Sequence, residues 1–220
     1  MQIEDLKEKI THFERIPEID LPKDFQTELR HYQREGYHWL HFLNDFGFGG
    51  ILADDMGLGK TIQVLAYLSK KQETKKGVHL IVVPTSLVFN WKDEIAKFTP
   101  HLRVLDLHGT KRIKSVHHFE EFDILLSTYG TLLSDIRYLK DFIFDTIILD
   151  EGQAIKNPDS KRYKTVRLLQ SKQRFVLTGT PIENNTLDIY SILSFCNPGM
   201  FVAKSTMNCI VRGEIGCFAK

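Results

Sequence analysis

The stretch "ILADDMGLGKTIQVL" (residues 51–65) decides how the surrounding chain folds. An apolar, strand-like start runs into a turn containing Gly57 and Gly59, and a helical pattern opens at Lys60. In a strand–turn–helix unit the turn's backbone N–H groups and the helix N-terminus point at one spot, which favours an anion. Gly57 and Gly59 let the backbone curl around a phosphate, Lys60 adds a cation, and the Thr61 hydroxyl suits Mg²⁺. Asp55, Met56 and Leu58 complete the loop that would line the site. The strict pattern G-x-x-x-x-G-K-[ST] wants glycine where this chain has Asp54, which implies a different entry to the loop rather than loss of the site. A tight turn with a solvated lysine would use the same residues, but the strand–loop–helix context argues against it. The stretch reads as a nucleotide site.

Outward from it, short apolar runs recur at "GILA" (50–53), "HLIVVP" (79–84), "RVLDL" (103–107), "DILLST" (123–128), "DTIILD" (145–150) and "RFVLTG" (174–179). Helical patterns lie between most of them, such as 60–72, 86–98 and 184–195, and another runs from Leu29 through Tyr32, Gly36, Trp39, Leu40 and Leu43. Near-continuous apolar strands alternating with helices indicate an α/β domain whose largely parallel sheet is covered on both faces. Pro17 and Pro22 make "RIPEIDLPKDF" an extended connector after a charged, helix-like start. The lysine-rich "SKKQETKKG" (69–77) reads as a helix end and a solvated loop.

A phosphate loop needs a metal-holding acid at the tip of a neighbouring strand, and "TIILDEGQ" (146–153) supplies one. Asp150 would hold Mg²⁺, directly or through water. Glu151 is placed to polarise the attacking water, which makes it the general-base candidate. Alone, such a pair could equally cap a helix. With Lys60 and Thr61 it completes a catalytic set of Lys60, Asp150 and Glu151 and a metal pair of Thr61 and Asp150.

Composition sets limits. With 220 residues, 42% hydrophobic and 26% charged, the chain fits one globular domain with a full core. Lysine plus arginine number 29 against 28 acidic residues, so bulk charge gives no case for nucleic acid, and such a partner must meet a local surface. No apolar run approaches a membrane span, and "MQIEDLKEKI" is acidic and amphipathic, unlike a signal peptide. Cys196, Cys209 and Cys217 form neither a disulfide framework nor a paired metal spacing, and read as free thiols.

Six segments in order carry a resemblance: "LRHYQREGYHWL" (29–40), "ILADDMGLGKT" (51–61), "LIVVPTSLVFNWKDEIAKF" (80–98), "LSTYGTL" (126–132), "LDEGQAIKN" (149–157) and "LTGTPIENN" (177–185). Together they resemble the superfamily 2 helicase motifs as worded in the Swi/Snf-family ATPases, with "LADDMGLGKT" nearest the bacterial members. The resemblance runs from about Phe25 to Pro198 and implies a three-layer, RecA-like ATP-binding lobe. It implies that Gln33 recognises adenine, that Lys60 and Thr61 serve phosphate and Mg²⁺, and that Asp150 and Glu151 are the Walker-B pair. Gln153 stands where many relatives carry histidine, in a segment that relays nucleotide state. Pro84 and Thr85, Ser127, Thr128 and Tyr129, and Thr178, Gly179 and Thr180 match motifs that touch the DNA backbone or couple that contact to hydrolysis. Small hydroxyls and N–H groups at strand ends do bind phosphate without reading sequence, although a hydroxyl capping the next helix is the alternative for each. Trp39 and Trp91 read as packing residues.

The resemblance further implies ATP and Mg²⁺ as cofactors, the backbone of double-stranded DNA as a partner, and a second RecA-like lobe carrying the arginines that reach the ATP. It implies a cytoplasmic, nucleoid-associated protein if bacterial and a nuclear one if eukaryotic. Three segments are expected: a helix and linker over 1–24, the lobe over 25–198, and an atypical tail over 199–220 that suggests truncation or a frameshift. The Q-x-x-x-R from Gln170 to Arg174 leads into a strand and is the wrong context for an arginine finger. A lone lobe is therefore expected to be a poor ATPase. Two other readings remain beside it: a self-contained P-loop kinase or GTPase, which lacks support because no N-K-x-D motif occurs, and a non-catalytic nucleotide- or DNA-binding module that works with a partner chain.

Overall fold

The computed structural model describes residues 15–109, 112, 115–179 and 186–200. Its strands are β1 (Gly50–Leu52), β2 (His79–Val83), β3 (Val104–Asp106), β4 (Ile124–Thr128), β5 (Ile143–Leu149) and β6 (Gln170–Leu177). They form one sheet in the order β1-β6-β5-β2-β4-β3, and every pairing is parallel. The helices are α1 (His31–Asp45), α2 (Lys60–Thr74), α3 (Val88–Phe98), α4 (Tyr129–Leu139), α5 (Lys161–Val166) and α6 (Thr186–Cys196). The charged start over 1–14, Thr180 and the tail over 201–220 lie outside the described residues.

The continuous apolar runs have a direct cause: alternate side chains of each central strand enter different cores. Leu80 and Val82 of β2, Ile147 and Leu149 of β5 and Val176 of β6 join Leu132 and Leu139 of α4, Val166 of α5 and Phe195 of α6. Ile81, Val83, Ile148, Phe175 and Leu177 join Tyr37 and Leu40 of α1, residues 64–68 of α2, and Val88, Trp91 and Ile95 of α3. Burying an aliphatic side chain of this size contributes about 1.5–3 kcal/mol, so each strand is tied to both helical layers. The strand β6 starts four residues before its apolar half, because the polar Gln170–Gln173 segment continues the parallel register against Ile143–Thr146. Backbone pairing extends it where side-chain pattern gives no sign.

The proline-bearing connector is extended as the sequence implies, and it is strapped down. The Tyr37 hydroxyl donates to the Asp20 carbonyl at 2.9 Å, His38 Nε2 lies 3.3 Å from the Ile19 carbonyl, and Ile19 and Leu21 pack on the core. The lysine-rich 69–77 segment differs from expectation at Lys71. Its ammonium is folded inward against Asp145 Oδ2 at 2.5 Å, and Lys172 closes on Asp145 Oδ1 at 2.9 Å.

Beside that pair lies His79, wholly buried, with no hydrogen-bond partner for either ring nitrogen among the described residues. Burial, aided by the Lys71 charge and only partly opposed by Asp145 and Asp123, lowers its pKa to about 3. His41, buried near Lys71, Lys70 and His38, is lowered to about 4 for the same first reason. Both imidazoles titrate near 6.5 when unfolded. Below that pH the unfolded chain takes up protons that the native chain refuses, so stability falls as pH falls from 6.5 towards the folded values. Between pH 7.5 and 5.5 the two together should cost roughly 3 kcal/mol, at about 1.4 kcal/mol per unit for each. Urea unfolding at those two pH values checks this. His79→Leu should remove about half of the loss, and an unchanged pH dependence would contradict the assignment.

Candidate nucleotide site

The loops after β1, β2, β4, β5 and β6 all leave the same edge of the sheet, because the strands are parallel. In open α/β sheets that edge, beyond the strand C-termini, is where ligands bind. Every sequence-predicted site residue in the described part lies on it or, as with Gln33, on the helix start that leans over it.

The loop between β1 and α2 turns twice through the left-handed region, at Gly57 (φ 83°) and Gly59 (φ 80°). Gly59 is the cap of α2, and a Cβ there would meet Gln33 Nε2 at 2.6 Å, so conformation and space both require glycine. A Cβ on Gly57 would meet nothing within 4 Å, which leaves that side of the loop open. The Lys60 ammonium turns back on its own loop, donating to the carbonyls of Asp54 at 2.6 Å and Asp55 at 3.0 Å. Asp54 does have a job of its own: its carboxylate accepts from Gln63 Nε2 at 2.9 Å, one turn inside α2. A side-chain bond thus fixes the loop's entry. Gln63 itself was not expected, and its only trace in the sequence is a polar residue in the buried stripe "TIQVLAYL".

Gln33 sits in the first turn of α1. Its amide oxygen accepts from the Arg30 N–H at 3.0 Å, and its nitrogen donates to the Leu58 carbonyl at 3.0 Å. One N–H and one lone pair of the amide are left over. Gln33 lines a groove of about 420 Å³ with Gly59, Ile62, Asp93, Glu94, Lys97 and Phe98. The larger cavity, about 650 Å³ between 16–21 and α1, holds none of the site residues.

Asp150 follows β5 directly and is buried to 8% exposure. Its carboxylate accepts from the Trp91 indole N–H at 2.8 Å on Oδ2 and from the Glu151 backbone N–H at 2.8 Å on Oδ1. Its backbone is held by the Val82 carbonyl at 2.9 Å and by the Tyr129 hydroxyl, which donates to the Asp150 carbonyl at 2.7 Å. Burial raises the Asp150 pKa; the two N–H donors pull the other way, the Glu151 charge adds to the rise and the Lys60 charge opposes it. The charge of Lys60, 90 residues away in the chain, thus reaches Asp150.

Glu151 has φ 52° and ψ 62°, the single described non-glycine residue at positive φ. Such a conformation costs on the order of 1–3 kcal/mol and tends to occur at functional sites. Its Oε2 accepts from Gln153 Nε2 at 2.5 Å, and Gln153 Oε1 accepts from the Thr178 hydroxyl at 3.2 Å. A polar chain thus joins the end of β5 to the end of β6. Gly179 lies under Met56, since a Cβ on it would come within 2.8 Å of Met56 Cγ.

The residues expected to touch a DNA backbone divide. Thr85 is exposed on a 3-10 turn after β2, next to Pro84. Ser127, Thr128 and Tyr129 are buried. The Thr128 hydroxyl caps α4 by accepting from the Thr131 N–H at 3.1 Å, and the Tyr129 hydroxyl is spent on Asp150. All three side chains lie beneath the surface in this conformation, and Tyr129 alone of them is bonded to Asp150. Thr178 is likewise buried and bonded to Gln153. Trp91 is a core residue, 1% exposed, and also the donor to Asp150, a second role that packing alone does not suggest. Trp39 packs over β1, where a Cβ on Gly50 would strike its ring.

This edge carries the elements of a P-loop ATPase, and the family model described as "SNF2-related domain" matches residues 32–212. The chain belongs to the SNF2-related family. It is 43% identical over 183 residues to an uncharacterized ATP-dependent helicase of Mycoplasma genitalium, covering 82% of this chain and 18% of that one. It is 39% identical over 199 residues to the chromatin-remodeling ATPase INO80 of Sclerotinia sclerotiorum, covering 84% of this chain and 12% of that one. The solved Sulfolobus solfataricus SWI2/SNF2 ATPase core in complex with dsDNA is 42% identical with a TM-score of 0.81, covering 90% of this chain and 42% of that core. The SNF2-related chain thus spans less than a quarter of these curated relatives and under half of the solved ATPase core. It has the RecA-like α/β fold and corresponds to one lobe of such a core. No described helix is long and apolar enough to cross a membrane.

Proposed function

We propose that residues 25–198 are the ATP-binding lobe of a DNA-dependent ATPase, preceded by a linker over 1–24 and followed by a separate segment over 199–220. One observation carries this reading: the glycine loop with Lys60 follows β1 and the Asp150–Glu151 pair follows β5, so both stand at the same edge of the parallel sheet. The loop glycines, the N-terminus of α2 and Lys60 would bind the phosphates, with Lys60 exchanging the Asp54 and Asp55 carbonyls for phosphate oxygens. The donor set fits Mg²⁺, a hard cation that prefers oxygen: the Thr61 hydroxyl and the Asp150 carboxylate would hold it. When bound, it neutralises charge on the phosphates. Glu151 would orient water and take its proton at the carboxylate. Gln153 and Thr178 would carry the state of Glu151 to the end of β6, and Tyr129 would carry that of Asp150 to α4. Pro84, Thr85, Gly179 and Thr180 would meet the backbone of duplex DNA, while Ser127, Thr128, Tyr129 and Thr178 would support that contact from beneath. A second RecA-like lobe would close over the site, with the whole acting at the bacterial nucleoid or in a nucleus.

The adenine would occupy the groove beside Gln33, where the leftover N–H and lone pair of the amide can pair with its edge. ATP should therefore bind at least about tenfold tighter than GTP in the presence of Mg²⁺, the worth of roughly one hydrogen bond to a neutral group. Gln33→Ala should narrow that preference, and Lys60→Ala should weaken both nucleotides. Equilibrium titration of the four combinations tests it: equal ATP and GTP affinity in the parent protein would remove the adenine role, and an unchanged Lys60→Ala affinity would refute the phosphate site.

A further inference from the structure

Asp150 is 59 residues from Trp91 in the chain, yet the two meet by a side-chain bond in the interior. A carboxylate at the tip of a strand has two torsions free to turn. Here Oδ1 is pinned by the Glu151 N–H and Oδ2 by the indole N–H, both at 2.8 Å. Each oxygen keeps a further lone pair. The indole cannot move to accommodate another arrangement, because Trp91 is 1% exposed and packed in the core with Val88, Ile95 and Ile81. It is also a donor only, so it favours the ionised carboxylate over a protonated one.

We propose that Trp91 is a positioning residue for the metal-bearing carboxylate, setting the orientation in which Asp150 meets Mg²⁺ beside the nucleotide phosphates. The proposal rests on the reading of Asp150 as a metal ligand. A core tryptophan contributes area wherever it lies, but this one places its single polar atom on the carboxylate. Partners that orient a ligand from behind commonly change metal affinity about 10- to 100-fold when removed.

Trp91→Phe keeps an aromatic, though smaller, ring in the core and deletes the donor. In the 220-residue protein, ADP affinity measured in EDTA should stay within about twofold of the parent, while the gain in affinity on adding Mg²⁺ should shrink about 10- to 100-fold. In an Asp150→Ala background, Trp91→Phe should cause no further change in that gain, as expected when two residues act through one interaction. A Mg²⁺ gain unaffected by Trp91→Phe would overturn the proposal, as would an equal loss of affinity in EDTA and in Mg²⁺. A second measurement does not depend on how well that variant folds. In Trp39→Phe, whose only tryptophan is Trp91, addition of Mg²⁺ to the ADP complex should change the indole emission, and constant emission would overturn the proposal. A parent protein whose ADP affinity shows no Mg²⁺ gain at all would instead refute the metal role of Asp150 itself.

Discussion

Joined to the second lobe of a family member, residues 1–198 carrying Glu151→Gln should bind ATP with Mg²⁺ as their parent does and hydrolyse it on the order of 10²–10⁴-fold more slowly. The substitution is nearly isosteric. The amide oxygen can still accept from Gln153, which donates to Glu151 Oε2 at 2.5 Å, so the chain from Glu151 through Gln153 to Thr178 persists. The left-handed backbone at 151 (φ 52°) is no harder for glutamine than for glutamate. The proposed phosphate and metal contacts of Lys60, Thr61 and Asp150 remain. What is lost is the carboxylate proposed to take a proton from water. Equilibrium binding and single-turnover hydrolysis, measured on the same preparation, separate the two effects. Equal hydrolysis by the variant and its parent would show that Glu151 is not the base.

A polypeptide of these 220 residues alone should turn over ATP on the order of 10³–10⁵-fold more slowly than the same lobe completed by a second one, the range attached to an arginine that stabilises the transferring phosphoryl group. Arg174, in the Q-x-x-x-R that starts at Gln170, does not supply it. Its guanidinium is buried in β6, donating to the carbonyls of Leu169 at 2.5 Å and Phe195 at 3.3 Å and to the Ser171 hydroxyl at 3.2 Å. These bonds tie α6 to the sheet and leave it no reach towards the phosphates. Duplex DNA should not raise that turnover. If DNA is held between two lobes, as proposed, one lobe alone neutralises fewer phosphates, which means weaker binding with a shallower salt slope. A net charge of +1 adds little long-range attraction.

Legibility in the sequence follows the distance over which each interaction acts. The strand, turn and helix around 51–65 were readable because Gly57 and Gly59 turn the backbone within a few residues, and the alternation of apolar runs and helices made the parallel sheet readable because each central strand is buried on both faces. The polar start of β6 was not readable: backbone register against β5 holds it, and register has no local signature. Gln63 on Asp54 and Trp91 on Asp150 were hidden for a related reason, since a buried amide or indole looks like core until its partner from another element is known. For the hydroxyls after β4 the sequence left phosphate contact, coupling to hydrolysis and helix capping side by side; the fold shows the Thr128 hydroxyl capping α4 and the Tyr129 hydroxyl on the Asp150 carbonyl. Lys71 looked solvated because lysines cluster around it; only the fold brings Asp145 within 2.5 Å.

On the proposed reading, residues 25–198 of this SNF2-related chain bind nucleotide and need a second lobe for hydrolysis. Steady-state ATP turnover, measured with and without duplex DNA for the purified 220-residue monomer and for its two-lobed fusion, tests it most directly. The account predicts background turnover by the monomer, unchanged by DNA, and DNA-stimulated turnover by the fusion. Robust DNA-stimulated hydrolysis by the monomer would contradict it.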